Sequence, residues 1–253
     1  MPAELHVFAV PGIPEVVSGA DLGRLIADAV RSGDGAGRAI RAGDVFVVAQ
    51  KIVSKAEDAV VRLDGVVPSP LAREWAAASG RDPRVVEVIL GESRRIVRMD
   101  RGVLIAETRH GFVCANAGVD ASNVPLGWVT VLPREPDASA DRLREALSEA
   151  FECPIGVIVA DTFGRPWREG LVNVALGVAG LRPLVDYRGC VDPYGRQLEI
   201  TVVALADEIA GAAEIVMHKT AGTPVAIIRG AAEWAGPGSA QMLVRDAAHD
   251  LFR

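Results

Sequence analysis

A short apolar run at residues 155–160, Ile-Gly-Val-Ile-Val-Ala, stops abruptly at Asp161-Thr162, and this junction constrains the fold more than any other stretch. Its length and β-branched content predict a buried strand. Gly164, Pro166 and Gly170 follow, with Arg165, Arg168 and Glu169 among them. A carboxylate and a hydroxyl at a strand's end, with arginines just beyond, suit a hard cation and a phosphate. The carboxylate supplies charge, the hydroxyl a neutral oxygen ligand and the guanidinium a fork for phosphate or carboxylate oxygens. The same Asp-Thr pair suits the cap of a following helix, so local sequence leaves both readings open.

Residues 5–10 predict an earlier strand, closed by the stiff loop Pro11-Gly12-Ile13-Pro14-Glu15, whose backbone can face a ligand or simply turn. Leu22, Leu25, Ile26, Ala29 and Val30 share one helical face, with Ser18 as the expected cap. The glycines of residues 33–37 are not spaced as a dinucleotide fingerprint and read as a flexible loop. Residues 45–49 predict a second buried strand, followed at once by Gln50-Lys51-Ile52-Val53-Ser54-Lys55. Two lysines and a serine there make a compact basic site for phosphates, or a solvated turn. The chain contains no G-x-x-x-x-G-K-[ST] loop, so any nucleotide is held without one.

Helices are expected at 70–78, 83–90, 136–151 and 204–217, and a terminal one at 239–252. The small apolar residues 174–181 also read as a tightly packed helix. Strands are expected at 95–99, 103–107, 112–115, 198–203 and 225–228, and Asp192-Pro193-Tyr194-Gly195 as a turn between strands. Between them lies Ala115-Asn116-Ala117-Gly118-Val119-Asp120-Ala121-Ser122-Asn123-Val124, where small residues surround short oxygen-bearing ones. That composition suits an oxygen-ligand metal site or a base-recognition loop, and equally an Asx turn. Strands and helices mix without strict βαβ alternation, which favours α+β, mixed sheets with packed helices, over a doubly wound sheet.

At 253 residues the chain can bury a sizeable core. The net charge of −6 gives no support to nucleic-acid or anionic-membrane binding. Cys114, Cys153 and Cys190 match no zinc spacing or disulfide framework and read as buried small apolar residues. No apolar run approaches the roughly 20 residues of a membrane span, and no signal peptide is legible, so a cytoplasmic location is expected.

Several motifs occur together and in order: Gly12-Ile13-Pro14, Val-Ala-Gln-Lys-Ile-Val-Ser-Lys at 48–55, and Ala-Gly-Val-Asp-Ala-Ser-Asn-Val at 117–124. Ala-Asp-Thr-Phe-Gly-Arg-Pro-Trp-Arg at 160–168, Asp-Pro-Tyr-Gly at 192–195 and Ala-Asp-Glu-Ile-Ala at 206–210 continue the series. With these in view, nearly the whole chain resembles the coenzyme F420-0:L-glutamate ligase (F420 γ-glutamyl ligase) family. The resemblance implies one ligase domain over 1–253, or two intertwined subdomains, in an α+β fold that forms an intertwined homodimer. It implies a GTP-dependent ligase that adds L-glutamate to the F420-0 precursor and then a second one through a γ-linkage.

By position, the resemblance implies Asp120 and Asp161 as ligands of one divalent ion and Thr162 of a second, with Mn²⁺ or Mg²⁺ and K⁺ as the cations. It implies nucleotide contacts at Ile13, Pro14, Glu15, Val16, Gln50, Lys55 and Asn123. Many relatives carry Met-Gly-Glu or Met-Gly-Gln where this chain has Met217-His218-Lys219, and a protonated Lys219 cannot ligate a cation, although it can contact a phosphate. Some relatives are fused to a nitroreductase-like domain, so the chain is expected to stand alone or to be cut from a longer one.

The chemistry expected is attack of the precursor carboxylate on the γ-phosphorus of GTP, then displacement of phosphate by the glutamate amine. Lys55 is the expected phosphate group and Arg168 the partner of a substrate carboxylate or the acyl phosphate, with Lys51 as a further positive charge. His110 is a weaker candidate for a base, more readily read as structural. The rival readings are a metal-dependent phosphohydrolase and a non-catalytic nucleotide-sensing protein.

Overall fold

The computed structural model describes residues 4–33 and 39–251. In chain order, β1 (His6–Ala9), α1 (Leu22–Ser32), β2 (Val45–Ala49) and α2 (Gln50–Ala56) lead to β3 (Val60–Arg62). Helices α3 (Pro70–Ser79) and α4 (Pro83–Glu92) precede a meander of β4 (Ser93–Asp100), β5 (Val103–Thr108) and β6 (Val113–Ala115). Then come β7 (Trp128–Thr130), α5 (Pro136–Phe151), β8 (Gly156–Arg165) and β9 (Arg168–Ala179). The last elements are β10 (Val185–Asp186), β11 (Val202–Val203), α6 (Leu205–Met217) and β12 (Val225–Arg229).

The central sheet has the order β1-β12-β2-β8-β9, and only its β2–β8 pair is parallel. Strand alternation splits β2 between two cores. Val45 and Val47 pack with Ile158, Ile228 and the α6 residues Ile209 and Ala213; Phe46 and Val48 pack with Ile26 of α1, Val53 of α2 and Leu147 of α5. A sheet covered on both faces explains why 45–49 and 155–160 read as unbroken apolar runs. A third cluster, around Leu63, Ile89, Leu104 and Val129, gathers α4 and the β4–β6 meander. These mixed sheets and packed helices make the chain α+β. No helix among the described residues is long and apolar enough to cross a membrane.

Helix starts follow local chemistry. Ser69 and Asp82 cap α3 and α4, each followed by proline at the first helical position. For α1 the cap is Asp21, which accepts from the Arg24 N–H at 3.0 Å, and not Ser18. Of the expected glycine loop only Gly33 is described, as the C-cap of α1; residues 34–37 lie outside the described residues.

Three expectations fail, and of the two open readings of Asp161-Thr162 the helix cap falls away. Residues 174–181 are not helical but belong largely to β9, and their small side chains answer to helices crossing close above the strand. A Cβ on Gly177 would lie 2.1 Å from the Pro136 carbonyl oxygen. Asp161-Thr162 caps no helix, because β8 continues through both to Arg165 and turns back in a hairpin. Residues 239–251 hold only two short 3₁₀ turns, Ala240–Leu243 and Ala247–His249 (Phe252 lies outside the described residues). There Asp137 of α5 takes hydrogen bonds from Ser239 Oγ (2.6 Å) and the Ala240 N–H (2.8 Å), fastening the segment by its start. Of 198–203, only Val202 and Val203 form a strand, paired with Val185 and Asp186. The cysteines also diverge: Cys114 is buried, Cys153 half-buried and Cys190 exposed.

Asp44, at the head of β2, is 1 % exposed and closes the sheet from below. Arg229 of β12 donates to it twice, Nε at 2.9 Å and Nη2 at 2.6 Å, while its guanidinium lies over Phe8 of β1. The Arg41 backbone N–H adds a third bond at 2.9 Å. Asp44→Ala strands a largely buried guanidinium, so a loss of about 3 kcal/mol in denaturant unfolding is expected. A loss below about 1 kcal/mol would mean that solvent already shields the pair.

Candidate active site

Because β2 and β8 run parallel with Ala49 opposite Ala160, the carboxyl end of β2 lies level with the middle of β8, and the next residues are Gln50 and Asp161. Side chains from the end of a buried strand pair face the crevice where open α/β sheets place ligands. The chain turns into α2 immediately after β2, so the expected basic segment is helical. Gln50 and Lys51 thereby occupy its first turn and Ser54 and Lys55 its last.

Lys51 joins two distant segments. Its ammonium donates to Asp120 Oδ2 at 2.7 Å, to Ser122 Oγ at 2.5 Å and to the Ser122 carbonyl at 3.0 Å. Asp120 is further fixed by the Ser122 N–H (2.7 Å) and hydroxyl (2.8 Å), and its backbone pairs with Thr130. The loop tightens through left-handed backbone at Asn116, Ala117, Gly118 and Asn123, which the small residues there allow. Burial opposes ionisation of Asp120, but the bonds from Lys51 and Ser122 outweigh it and hold its carboxyl below the usual range.

Asp161 is the reverse case. Burial pushes its carboxyl up to about 6; the Thr162 N–H and the charges of Lys51 and Lys219 pull it down, and the negative charge of Asp120 pushes it further up. The two aspartates therefore share one electrostatic neighbourhood, although the chain brings them from distant segments. The buried Cys114 thiol is pushed up to about 12 by burial and by Asp161, so it stays protonated beside them.

Beyond Asp161, Thr162 Oγ1 donates to Asn173 Oδ1 at 2.7 Å, and Asn173 Nδ2 donates to Glu214 Oε2 at 2.9 Å. Lys219 closes the ring: its ammonium lies 2.9 Å from Glu214 Oε1 and donates to Thr162 Oγ1. Sequence reasoning alone misses Asn173 and Glu214 as members of the site. Each is distant in sequence from what it touches, and the helix that carries Glu214 draws attention only to Asp207-Glu208. Asp207 instead supports the backbone. Its Oδ1 takes the Ala175 N–H at 2.9 Å beside a bulge where Ala160 pairs with Ala175 but Val159 with Gly177. Bulges beside a site re-aim the strand, and this one immediately precedes Asp161.

The other expected residues divide. Lys55 is 11 % exposed at its side chain and pairs with Glu15 at 2.5 Å, tethering the proline loop in which Val16 is buried and Ile13 half-buried. Gln50 is buried, and its amide donates to Ser54 Oγ and the Val131 carbonyl, holding α2 against the strand below. Asn116 is turned away and accepts from Arg81 Nη1 at 2.7 Å. His110 stacks on Phe112 with Nε2 3.0 Å from the Arg134 carbonyl, a packing role. Arg168 is exposed at the far end of the β8–β9 hairpin opposite Arg165, four positions or about 13 Å along the strand from Asp161.

Chemically, two carboxylates with one held ionised and one pressed toward protonation make an oxygen site that a divalent ion would relieve. Among the described residues, no three His, Cys, Asp or Glu side chains converge to hold a metal. An ion on Asp120 and Asp161 would thus complete its shell with water and phosphate oxygens, the usual manner of Mg²⁺ in nucleotide sites.

A family model described as F420-0:Gamma-glutamyl ligase matches residues 12–230. The coenzyme F420:L-glutamate ligase of Methanopyrus kandleri is 47% identical over 254 residues, covering 98% of this chain and 98% of that protein. The enzyme of the same name from Methanothermobacter thermautotrophicus is 47% identical over 253 residues, covering 98% and 99%. That of Archaeoglobus fulgidus is 39% identical over 250 residues, covering 98% and 96%.

Proposed function

Since the chain belongs to the F420-0:gamma-glutamyl ligase family, we propose that it joins L-glutamate to the coenzyme F420 precursor at the expense of GTP. F420-0 is the first acceptor and F420-1 the second. The observation that carries this reading is the pair Asp120 and Asp161, placed by Lys51 and by the parallel β2–β8 ends within one charge neighbourhood.

An amide does not form directly from a carboxylate, because oxide and hydroxide are poor leaving groups. The acceptor carboxylate attacks the γ-phosphorus of GTP, the bond to the bridging oxygen breaks and GDP departs. The glutamate amine then attacks the acyl carbon, loses a proton and expels phosphate. Protein groups contribute position and charge to such a transfer. Asp120 and Asp161 would hold Mn²⁺ or Mg²⁺, with K⁺ as activator, and the divalent ion supplies charge neutralisation at the phosphates.

Lys55, released from Glu15, would meet the phosphates, and Lys51 adds a second positive charge at the same strand ends. Ile13, Pro14, Glu15, Val16, Gln50 and Asn123 would be the further nucleotide contacts, the buried Val16 through its backbone. Arg168 would meet the carboxylate of an extended acceptor lying along the hairpin. Trp167 and Leu171, 82% and 68% exposed on that hairpin, support a homodimer built across it.

Mass spectrometry of a reaction containing protein, GTP, Mn²⁺, L-glutamate and F420-0 tests the proposal. The expected product is heavier by one or two glutamate residues and forms with stoichiometric GDP. Phosphate release without acceptor or product would replace it with a phosphohydrolase. Lys55→Ala is expected to raise KM for GTP about 10- to 100-fold, the worth of a charge-assisted phosphate contact. Unchanged kinetics would move the phosphate site elsewhere.

A further inference from the structure

The ring of Thr162, Asn173, Glu214 and Lys219 has a fixed polarity. Asn173, 3% exposed, uses its carbonyl to take the Thr162 hydroxyl proton and its amide to hold Glu214 Oε2. Thr162 Oγ1 is thereby left with lone pairs only, and Glu214 Oε1 stands beside it as a second acceptor. Both oxygens face one point, and the Lys219 ammonium stands there. A point lined by oriented acceptors takes a cation, and the Lys219 ammonium uses two of its three N–H groups there.

The backbone is held in a costly conformation next to it. His218, the residue after α6, adopts φ 53 and ψ 158, a region that non-glycine residues rarely occupy and that persists only when the surroundings impose it. It stands between Met217, buried in the core, and Lys219, clamped in the ring.

We propose that the Lys219 ammonium is a resident cation, held between Thr162 Oγ1 and Glu214 Oε1 beside Asp161 where an inorganic one would otherwise sit, so that this chain keeps a single exchangeable divalent position. The proposal rests on the reading of Asp120 and Asp161 as that position. Lys219 then does permanently what a second ion would do reversibly: it screens Glu214 and orients Thr162 at the strand end.

Mn²⁺ binding to the full chain, followed by the electron paramagnetic resonance of the free ion, tests it. Wild type is expected to bind one Mn²⁺ per chain, and Lys219→Glu and Lys219→Gln two each. Two ions on the wild type, or no gain in either variant, would overturn it. A gain confined to Lys219→Glu overturns it as well, since added negative charge alone then accounts for the extra ion. The inference is read from the difference of one ion between variant and wild type. The Asp120–Asp161 reading is read separately, from loss of the wild type's own ion in Asp161→Asn, so either can fail alone.

Discussion

Asp161→Asn is expected to cut turnover about 10³-fold and yet to leave the cation-free protein more stable than wild type at neutral pH. The two effects share one cause. Burial and the neighbouring Asp120 raise the Asp161 carboxyl to about 6, so the folded chain holds this proton more tightly than the unfolded chain does. Stability from this group is therefore full in acid and falls as pH climbs from the ordinary carboxylate range through about 6. Above that it costs about 3 kcal/mol. Asparagine keeps the shape, cannot ionise and removes the penalty. Melting temperatures of wild type and variant, without divalent cation, should converge near about pH 4 and separate by several degrees at about pH 7.5, with the variant higher. Near-native turnover would show that Asp161 is not essential, and a variant no more stable at the higher pH that it is not strained.

Gly177→Ala is expected to cost about 3 kcal/mol or more and to reduce soluble yield sharply. The added methyl would meet backbone, 2.1 Å from the Pro136 oxygen and 2.4 Å from its carbon, and backbone cannot rotate aside as a side chain can. Moving α5 away also strains Asp137, whose carboxylate takes hydrogen bonds from the Val178 and Ala240 N–H groups, each at 2.8 Å. Gly211→Ala in α6 is the control. Its methyl would lie 3.5 Å from Val172, an ordinary contact, and helix propensity favours alanine by somewhat under about 1 kcal/mol. Chemical denaturation of the two variants should therefore move in opposite directions. Equal, small effects would mean that the α5–β9 contact yields.

What the sequence makes legible here depends on whether the governing interaction is local. Pro70 and Pro83 behind their capping residues announce two helices, and the β-branched runs announce β2 and β8, because cap and strand chemistry act within a few residues. Residues 174–179 mislead because the glycine among them, Gly177, is set by Pro136, far back in the chain, and not by its own backbone. The site divides likewise. Asp120, Asp161 and Lys51 are recognisable as chemistry-bearing groups from their neighbours in sequence. Their convergence depends on the alignment of Ala49 with Ala160, and the role of Glu214 on a bond from Asn173, neither of which has a local signature.

The strand order β1-β12-β2 also governs how the chain comes into being. Residues 225–229 slot between a strand near residue 6 and one that begins at residue 45, so β1 has no sheet partner, and β2 only β8 on its other side, until residue 229 has been made. Until then β1, and the edge of β2 away from β8, are bare and can pair with the wrong chain. Native assembly of this sheet therefore waits for residues 225–229, and a message truncated before residue 225 yields a polypeptide that cannot join β1 to β2.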